Sequence, residues 1–215
     1  MSILQLCVCF IIGYIFGNIP NGYLYAKSQG VDIYHQGSGN PGSTNVLRTL
    51  GKRAGITVLL MDIAKCMVPI FLMILFWKPA NEDQKTLILM LTGIGAILGH
   101  NFPILPGVKG GKGVACTGAL LIALAPLYTL GLLCFFILIV LTTKYVSLGS
   151  VLSVFVFFLS VLLMGKSGIL FPFSEAVYLP MCGLSLFLAL LCLFQHRENV
   201  KRLLNGTENK FGKKK

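Results

Sequence analysis

The apolar residues of this chain come in blocks. The first runs from Ile3 to about Ala26, the second from Ile56 to Trp77 and the third from about Thr86 to Leu98. A longer block covers Ala115–Thr142, and two more cover Leu148–Met164 and Ala176–Phe194. Neither a period-two alternation nor a helical repeat accompanies them, so the pattern predicts helices and no strands. A hydrocarbon core about 30 Å thick takes about 20 apolar residues per helix. The blocks therefore predict an all-α, polytopic membrane protein forming a single domain over residues 1–215.

The block Ala115–Thr142 decides the number of spans. As one helix its 28 residues reach about 42 Å, with Pro126 inside. As two helices each half reaches about 20 Å, short for a span. Charge arbitrates. With two helices there are seven spans, and the segments 27–55, 101–112, 143–146 and 195–215 share one face. That face then holds 14 of the 18 basic residues. Cytoplasmic loops carry the excess of Lys and Arg. The prediction is seven transmembrane helices, N-terminus outside and C-terminus cytoplasmic, with the middle pair short or tilted.

Composition sharpens this picture. Hydrophobic residues make up 55% and charged residues 12% of the chain, which excludes disorder and argues against a water-soluble globule. The net charge of +11 would suggest nucleic acid in a soluble protein. In a membrane protein it points instead to the positive-inside rule, membrane lipids and an anionic ligand. The seven cysteines form no CxxC pair and no Cys/His spacing suited to a metal. The expectation is no disulfide, no metal and no cofactor. The N-terminus has no basic leader region and no A-x-A site, so it is read as a retained helix.

Chemistry concentrates in the polar loops. The first, DIYHQGSGNPGSTNVLRTLGKRAG, formally contains GxGxxG from Gly37 to Gly42. No strand precedes it, so the dinucleotide reading fails. Its glycines let backbone N–H groups approach an anion, Ser38, Ser43 and Thr44 add hydroxyls, and Asn45 and Arg48 follow on a helix. Arg48 can grip a phosphate through two nitrogens. The second loop, GVKGGKGVACTG, is not a Walker motif, because Pro106 and Gly113 stand where Gly and Ser/Thr are required. Even so, Lys109 and Lys112 around Gly110, Gly111 and Gly113 lead into a helix N-terminus, a setting that favours phosphate. In the tail, HRENVKRLLNGTE, a continuous helix would put His196, Asn199 and Leu203 on one stripe. Gly13/Gly17 and Gly95/Gly99 are GxxxG pairs suited to helix contacts. Asp62 and Lys65, at i, i+3 within the second span, are read as a structural pair that cancels its own desolvation cost.

Taken together, GNIPNGYLYAK, the block Asp32–Gly55, HNFPILPGVKGGKGVA, YVSLGS and HRENVKRLLNGTE resemble the bacterial acyl-phosphate:glycerol-3-phosphate acyltransferase family, the PlsY family. The resemblance implies seven membrane helices in the bacterial inner membrane and a site facing the cytoplasm. It implies transfer of a fatty acyl group from acyl phosphate to the 1-hydroxyl of sn-glycerol 3-phosphate. The product would be 1-acyl-sn-glycerol 3-phosphate, in phospholipid biosynthesis. By position, Ser38 and Arg48 match the family's essential serine and arginine, and residues 109–113 match its glycerol-phosphate loop. His196, Asn199 and Glu208 match its third motif, and Ser147 or Ser150 its serine pair. The expected catalytic set is thus His196, Ser38, Arg48 and Asn199. The expected phosphate-binding set is Asn45, Lys109, Gly110, Gly111, Lys112, Gly113, Ser147, Ser150 and Glu208.

The chemistry fits these residues. Acyl phosphate is an activated anhydride, so the task is to hold two anions in line and neutralise charge. Direct attack of a glycerol hydroxyl needs at most one base, either His196 or a substrate phosphate oxygen. The alternative is a transporter of a phosphorylated solute. That would need polar groups on both halves of a path, whereas the outer half here is almost purely apolar. Thioester-using acyltransferases carry H-x-x-x-x-D. His35, His100 and His196 are followed at the fifth position by Asn40, Leu105 and Lys201, so this chain lacks that motif.

Overall fold

The computed structural model describes residues 1–212. The last three lysines, counted above in the basic tail 195–215, lie outside the described residues. Those described are helical, with no strand among them. The elements are α1 (Ile3–Gly17), α2 (Asn21–Ser28), α3 (Ser43–Leu50), α4 (Lys52–Trp77), α5 (Glu82–Asn101), α6 (Val114–Leu124), α7 (Pro126–Thr143), α8 (Val146–Met164), α9 (Glu175–Gln195) and α10 (Arg197–Leu204).

Helix boundaries follow local chemistry. Ser2 opens α1 with a capping box: its Oγ accepts the Gln5 N–H at 3.3 Å, and Gln5 Oε1 accepts the Ser2 N–H at 2.8 Å. The first apolar block is two helices rather than one. Pro20 has no N–H to continue the ladder, so the chain breaks after Gly17 and restarts at Asn21. The block Ala115–Thr142 divides as expected. Pro126 is the first residue of α7, where a missing N–H costs nothing. Among the described residues, five helical stretches are long and apolar enough to cross a membrane: 3–28, 52–77, 126–143, 146–167 and 175–195. The α6 helix has only 11 residues, and α5 opens on Glu82, Asp83 and Lys85. Those acidic groups complement the N-terminal end of the α5 dipole.

The chain forms two compact units. The first comprises Met1–Lys78 and Leu87–Ala123. Within it α1 and α5 meet backbone to backbone. A Cβ on Gly13 or Gly17 would strike the carbonyls of Thr92 or Ala96, and one on Gly95 or Gly99 those of Phe10 or Tyr14. The two GxxxG pairs therefore face each other, since only glycine permits this approach. Elsewhere in this unit Gly51, at φ +91°, turns the chain from α3 into α4. Ala26, Ile33, Val46, Ala54 and Val58 form the buried cluster there.

The second unit comprises Pro79–Thr86 and the chain from Leu124 on. Here α7, α8 and α9 pack together. Tyr128, Phe157, Phe171 and Phe173 make an aromatic cluster with ring centroids 5.1–6.3 Å apart. Ser174 caps α9 by accepting the Ala176 N–H, and donates its own N–H and hydroxyl to Asp83 at 2.7 and 2.6 Å. Outward-facing Leu127, Leu163 and Leu179 are 85%, 77% and 77% exposed, as suits a lipid-facing surface.

Candidate active site

In the first unit, the loop before α3 is shaped by one amide. Asn45 Oδ1 accepts the Ser38 N–H at 2.8 Å, and Asn45 Nδ2 donates to the Gln36 carbonyl at 2.9 Å. The Arg48 guanidinium, one turn further along α3, lies 3.5 Å from the same Oδ1. Gly37 and Gly39 take φ +58° and +69°, a region that glycine enters without penalty. A Cβ on Gly37 would strike the Asn45 amide, so the turn closes tightly over it. Asn45, expected to hold substrate phosphate, thus spends both amide atoms on the loop backbone. It presents Ser38, which is exposed, and Arg48, which is half-buried.

The second loop is tied to the first by a residue that the sequence did not single out. The Tyr34 hydroxyl accepts the Lys109 N–H at 3.0 Å and donates to the Lys109 carbonyl at 3.1 Å. Burial pushes that hydroxyl above its ordinary value, so it stays protonated and keeps its proton to donate. The Lys109 ammonium lies over the Tyr34 ring, 5.8 Å from its centre. The Gly111 N–H donates to the His100 carbonyl at 3.0 Å. Two backbone donors of the loop, those of Lys109 and Gly111, are therefore occupied within the protein.

Gly113, at φ +78°, packs on the Asn101 amide, and its carbonyl accepts the Thr117 N–H and hydroxyl at the start of α6. Asn101 is 6% exposed, and neither its Nδ2 nor its Oδ1 finds a protein partner. A small cleft beside the loop is lined by Asn18, Asn21, Pro41, His100, Lys109 and Gly110, among others.

In the second unit, one carboxylate collects three donors. Glu208 Oε1 accepts from Ser147 Oγ at 3.0 Å and Asn199 Nδ2 at 2.7 Å, while Oε2 accepts from Arg202 Nε at 2.8 Å. Its side chain is 5% exposed. Glu208 was also expected to hold phosphate. Here its two oxygens accept from neighbouring side chains, which makes it an anchor for those donors. Of the two serines left open, Ser147 belongs to this network. Ser150 donates to the Val146 carbonyl of its own helix at 2.9 Å.

His196 is the junction residue between α9 and α10 rather than part of one continuous helix. Its carbonyl accepts the Val200 N–H, so Asn199 follows within the same turn. The ring is buried, and Nδ1 lies 2.8 Å from the Cys192 carbonyl. A carbonyl can only accept, so Nδ1 carries a proton. Ser38, Arg48, Asn45 and residues 109–113 thus belong to the first unit, and Ser147, Ser150, His196, Asn199 and Glu208 to the second.

Comparison with known proteins gives a consistent result. The glycerol-3-phosphate acyltransferase family matches residues 7–206. The chain is 41% identical over 217 residues to the glycerol-3-phosphate acyltransferase of Clostridioides difficile (strain 630), covering 100% of both chains. It is 40% identical over 200 residues to that of Geobacter sulfurreducens, covering 93% of this chain and 94% of the other. Among solved structures it resembles PlsY, an integral membrane glycerol 3-phosphate acyltransferase, in its glycerol 3-phosphate form. The TM-score is 0.81, with 33% identity and 96% of each chain covered. The lysophosphatidic acid form of PlsY aligns with a TM-score of 0.78. With nearly its whole length matched in sequence and in structure, the chain belongs to the glycerol-3-phosphate acyltransferase family of integral membrane enzymes.

Proposed function

We propose that this protein transfers a fatty acyl group from acyl phosphate to the 1-hydroxyl of sn-glycerol 3-phosphate. The products are 1-acyl-sn-glycerol 3-phosphate and inorganic phosphate. The observation that carries the reading is the likeness to PlsY in two bound forms, one with glycerol 3-phosphate and one with lysophosphatidic acid, which are substrate and product of this reaction. The absence of H-x-x-x-x-D around all three histidines supports the phosphate anhydride over a thioester as donor.

In the first unit Ser38, Arg48, Lys109 and Lys112 supply the positive charge and donors that two phosphorylated substrates need. In the second unit His196 Nε2 takes the proton from the attacking hydroxyl. The new bond joins that oxygen to the acyl carbon, the bond from acyl carbon to phosphate oxygen breaks, and phosphate leaves with the electron pair. Ser147 and Asn199, held by Glu208, orient groups around this step. Leaving-group activation resides in the donor, so no metal is required. The enzyme works in a bacterial cytoplasmic membrane, with seven spans, N-terminus outside and C-terminus in the cytoplasm.

Purified protein with labelled glycerol 3-phosphate and either palmitoyl phosphate or palmitoyl-CoA tests the donor. Turnover with palmitoyl phosphate, undiminished by excess EDTA, is expected. Turnover with palmitoyl-CoA alone overturns the proposal. His196→Gln tests the base, because it keeps a hydrogen bond but accepts no proton near neutrality. A loss of roughly 10²-fold or more is expected, and near-normal rate removes the histidine from that role. Single cysteines on a cysteine-free background should label from the cytoplasm at Ser43, Gly107 and Thr207, and from outside at Asn81 and Ser167. Labelling of Ser43 and Thr207 from opposite sides removes the seven-span arrangement.

A further inference from the structure

Asp62 and Lys65, which the sequence offers only as a self-cancelling pair, are part of a larger buried group in the first unit. Asp62 Oδ1 lies 3.1 Å from Lys65 Nζ and accepts from Asn21 Nδ2 at 3.1 Å. His100 Nδ1 lies 3.7 Å from the same oxygen. Lys65 Nζ also donates to the Ile19 carbonyl at 2.7 Å. The Asp62 and Lys65 side chains are 2% and 3% exposed, and that of His100 is 10% exposed. A charged pair alone would need only each other. Here the carboxylate also gathers the start of α2 and the end of α5, and its backbone carbonyl accepts from Cys116 on α6 at 3.4 Å.

Two arms lead from this group to the two loops. On one arm, the His100 ring lies directly beneath Gly111. A Cβ on Gly111 would strike Nε2, and the Gly111 N–H is bonded to the His100 carbonyl. On the other arm, Asn21 and the Ile19 carbonyl fix the entry to α2. There Gly22 packs so closely on the Pro41 carbonyl that no side chain fits between them. The buried group therefore adjoins the Lys109–Gly113 loop through His100 and the Gly37–Gly42 loop through Gly22. Moving either arm by a methyl group's width shifts donors that have to meet phosphate.

We propose that Asp62, Lys65 and His100 are positioning residues for phosphate capture, holding the two glycine-rich loops in register without touching substrate. This rests on the reading that Lys109–Gly113 holds the phosphate of glycerol 3-phosphate. Misplacing binding groups by about an ångström costs up to roughly a hundredfold.

The test is the equilibrium Kd of the purified, detergent-solubilised enzyme for glycerol 3-phosphate, measured by calorimetry with no donor present. Size exclusion and Tm are recorded for each variant. His100→Ala should raise Kd by about tenfold to a hundredfold. Rates at saturating glycerol 3-phosphate should stay within about threefold, the signature of lost binding rather than lost chemistry. Asp62→Asn with Lys65→Met removes both charges together, avoiding a lone buried ion, and should raise Kd similarly. Gly111→Ala should lose binding, and adding His100→Ala should restore part of it by vacating the space the new methyl needs. A general loss of packing gives no such rescue. Wild-type Kd in both His100→Ala and the double variant, with Lys112→Ala defective, overturns the proposal and leaves the phosphate loop standing. Equal affinity in wild type and Lys112→Ala removes the loop from the site, and the proposal with it.

Discussion

The two units organise their polar residues in opposite ways. In the first, a neutral amide grips backbone: Asn45 bonds the Ser38 N–H and the Gln36 carbonyl, and the loop takes its shape from that latch. In the second, an ionised carboxylate grips side chains: Glu208 collects Ser147, Asn199 and Arg202. An amide latch satisfies one donor and one acceptor and leaves net charge unchanged. A carboxylate hub only accepts, so it dictates the direction of three donors and offsets the charge of Arg202. The first arrangement controls where a loop runs. The second controls which way protons point.

Predictions follow from trying to exchange the two designs. The largest effect is expected at the hub. Glu208→Ala leaves three donors without their acceptor and should cost about 3 kcal/mol of stability by chemical denaturation. Its kcat/KM should fall about 100-fold. Glu208→Gln should recover only part of the loss, because Arg202 lacks its counter-ion. Full activity in the Gln variant would show that shape rather than charge holds the hub.

At the latch, Asn45→Asp keeps the acceptor for Ser38 but sets a carboxylate oxygen against the Gln36 carbonyl. A loss of about 1–3 kcal/mol is expected, read as a fall in Tm. A smaller contrast separates the serines of α8. Ser147→Ala should cost about 1 kcal/mol through its bond to Glu208. Ser150→Ala should stay within about 0.5 kcal/mol, since its hydroxyl only bonds its own helix. Equal effects would take Ser147 out of the hub.

The smallest effect concerns pH. Asp83 is held below its ordinary value, 3.8, by the Ser174 hydroxyl first and the Ser174 N–H second. A depressed carboxylate stabilises the fold above its unfolded pKa and loses that contribution as pH falls through its folded pKa. The Tm of Asp83→Asn should therefore lie below wild type at pH 6, with the gap closing as pH drops below 3.8. A gap that does not narrow as pH falls below 3.8 would mean that the serine's cap of α9, not the charge, matters.

Much of this was legible in the sequence. Pro126 divided the long apolar block because proline's missing N–H is harmless only at a helix start. The basic and glycine-rich loops stood out because nothing in a lipid-facing helix calls for them. Three other features were not legible. The break at Pro20 lay hidden inside an apolar run, with hydrophobicity masking backbone geometry. Tyr34 gave no signal, because a loop tyrosine meets Lys109 only across 75 residues of chain. Glu208's part as acceptor for three donors gave no signal, because position in a motif says nothing of whether a carboxylate faces ligand or neighbouring donors.

The glycine seam between α1 and α5 has a consequence for mutational tolerance. Gly13, Gly17, Gly95 and Gly99 each sit against a backbone carbonyl, so even alanine forces the two helices apart. None of the four carries a functional group, and the contact they permit needs no charge, proton or solvent. A saturation scan for growth should show these positions as unforgiving as any reacting residue, equally so at every pH and salt concentration. Intolerance to substitution in this protein therefore marks two different things, chemistry at the loops and bare proximity in the seam, and only a change of solution conditions tells them apart.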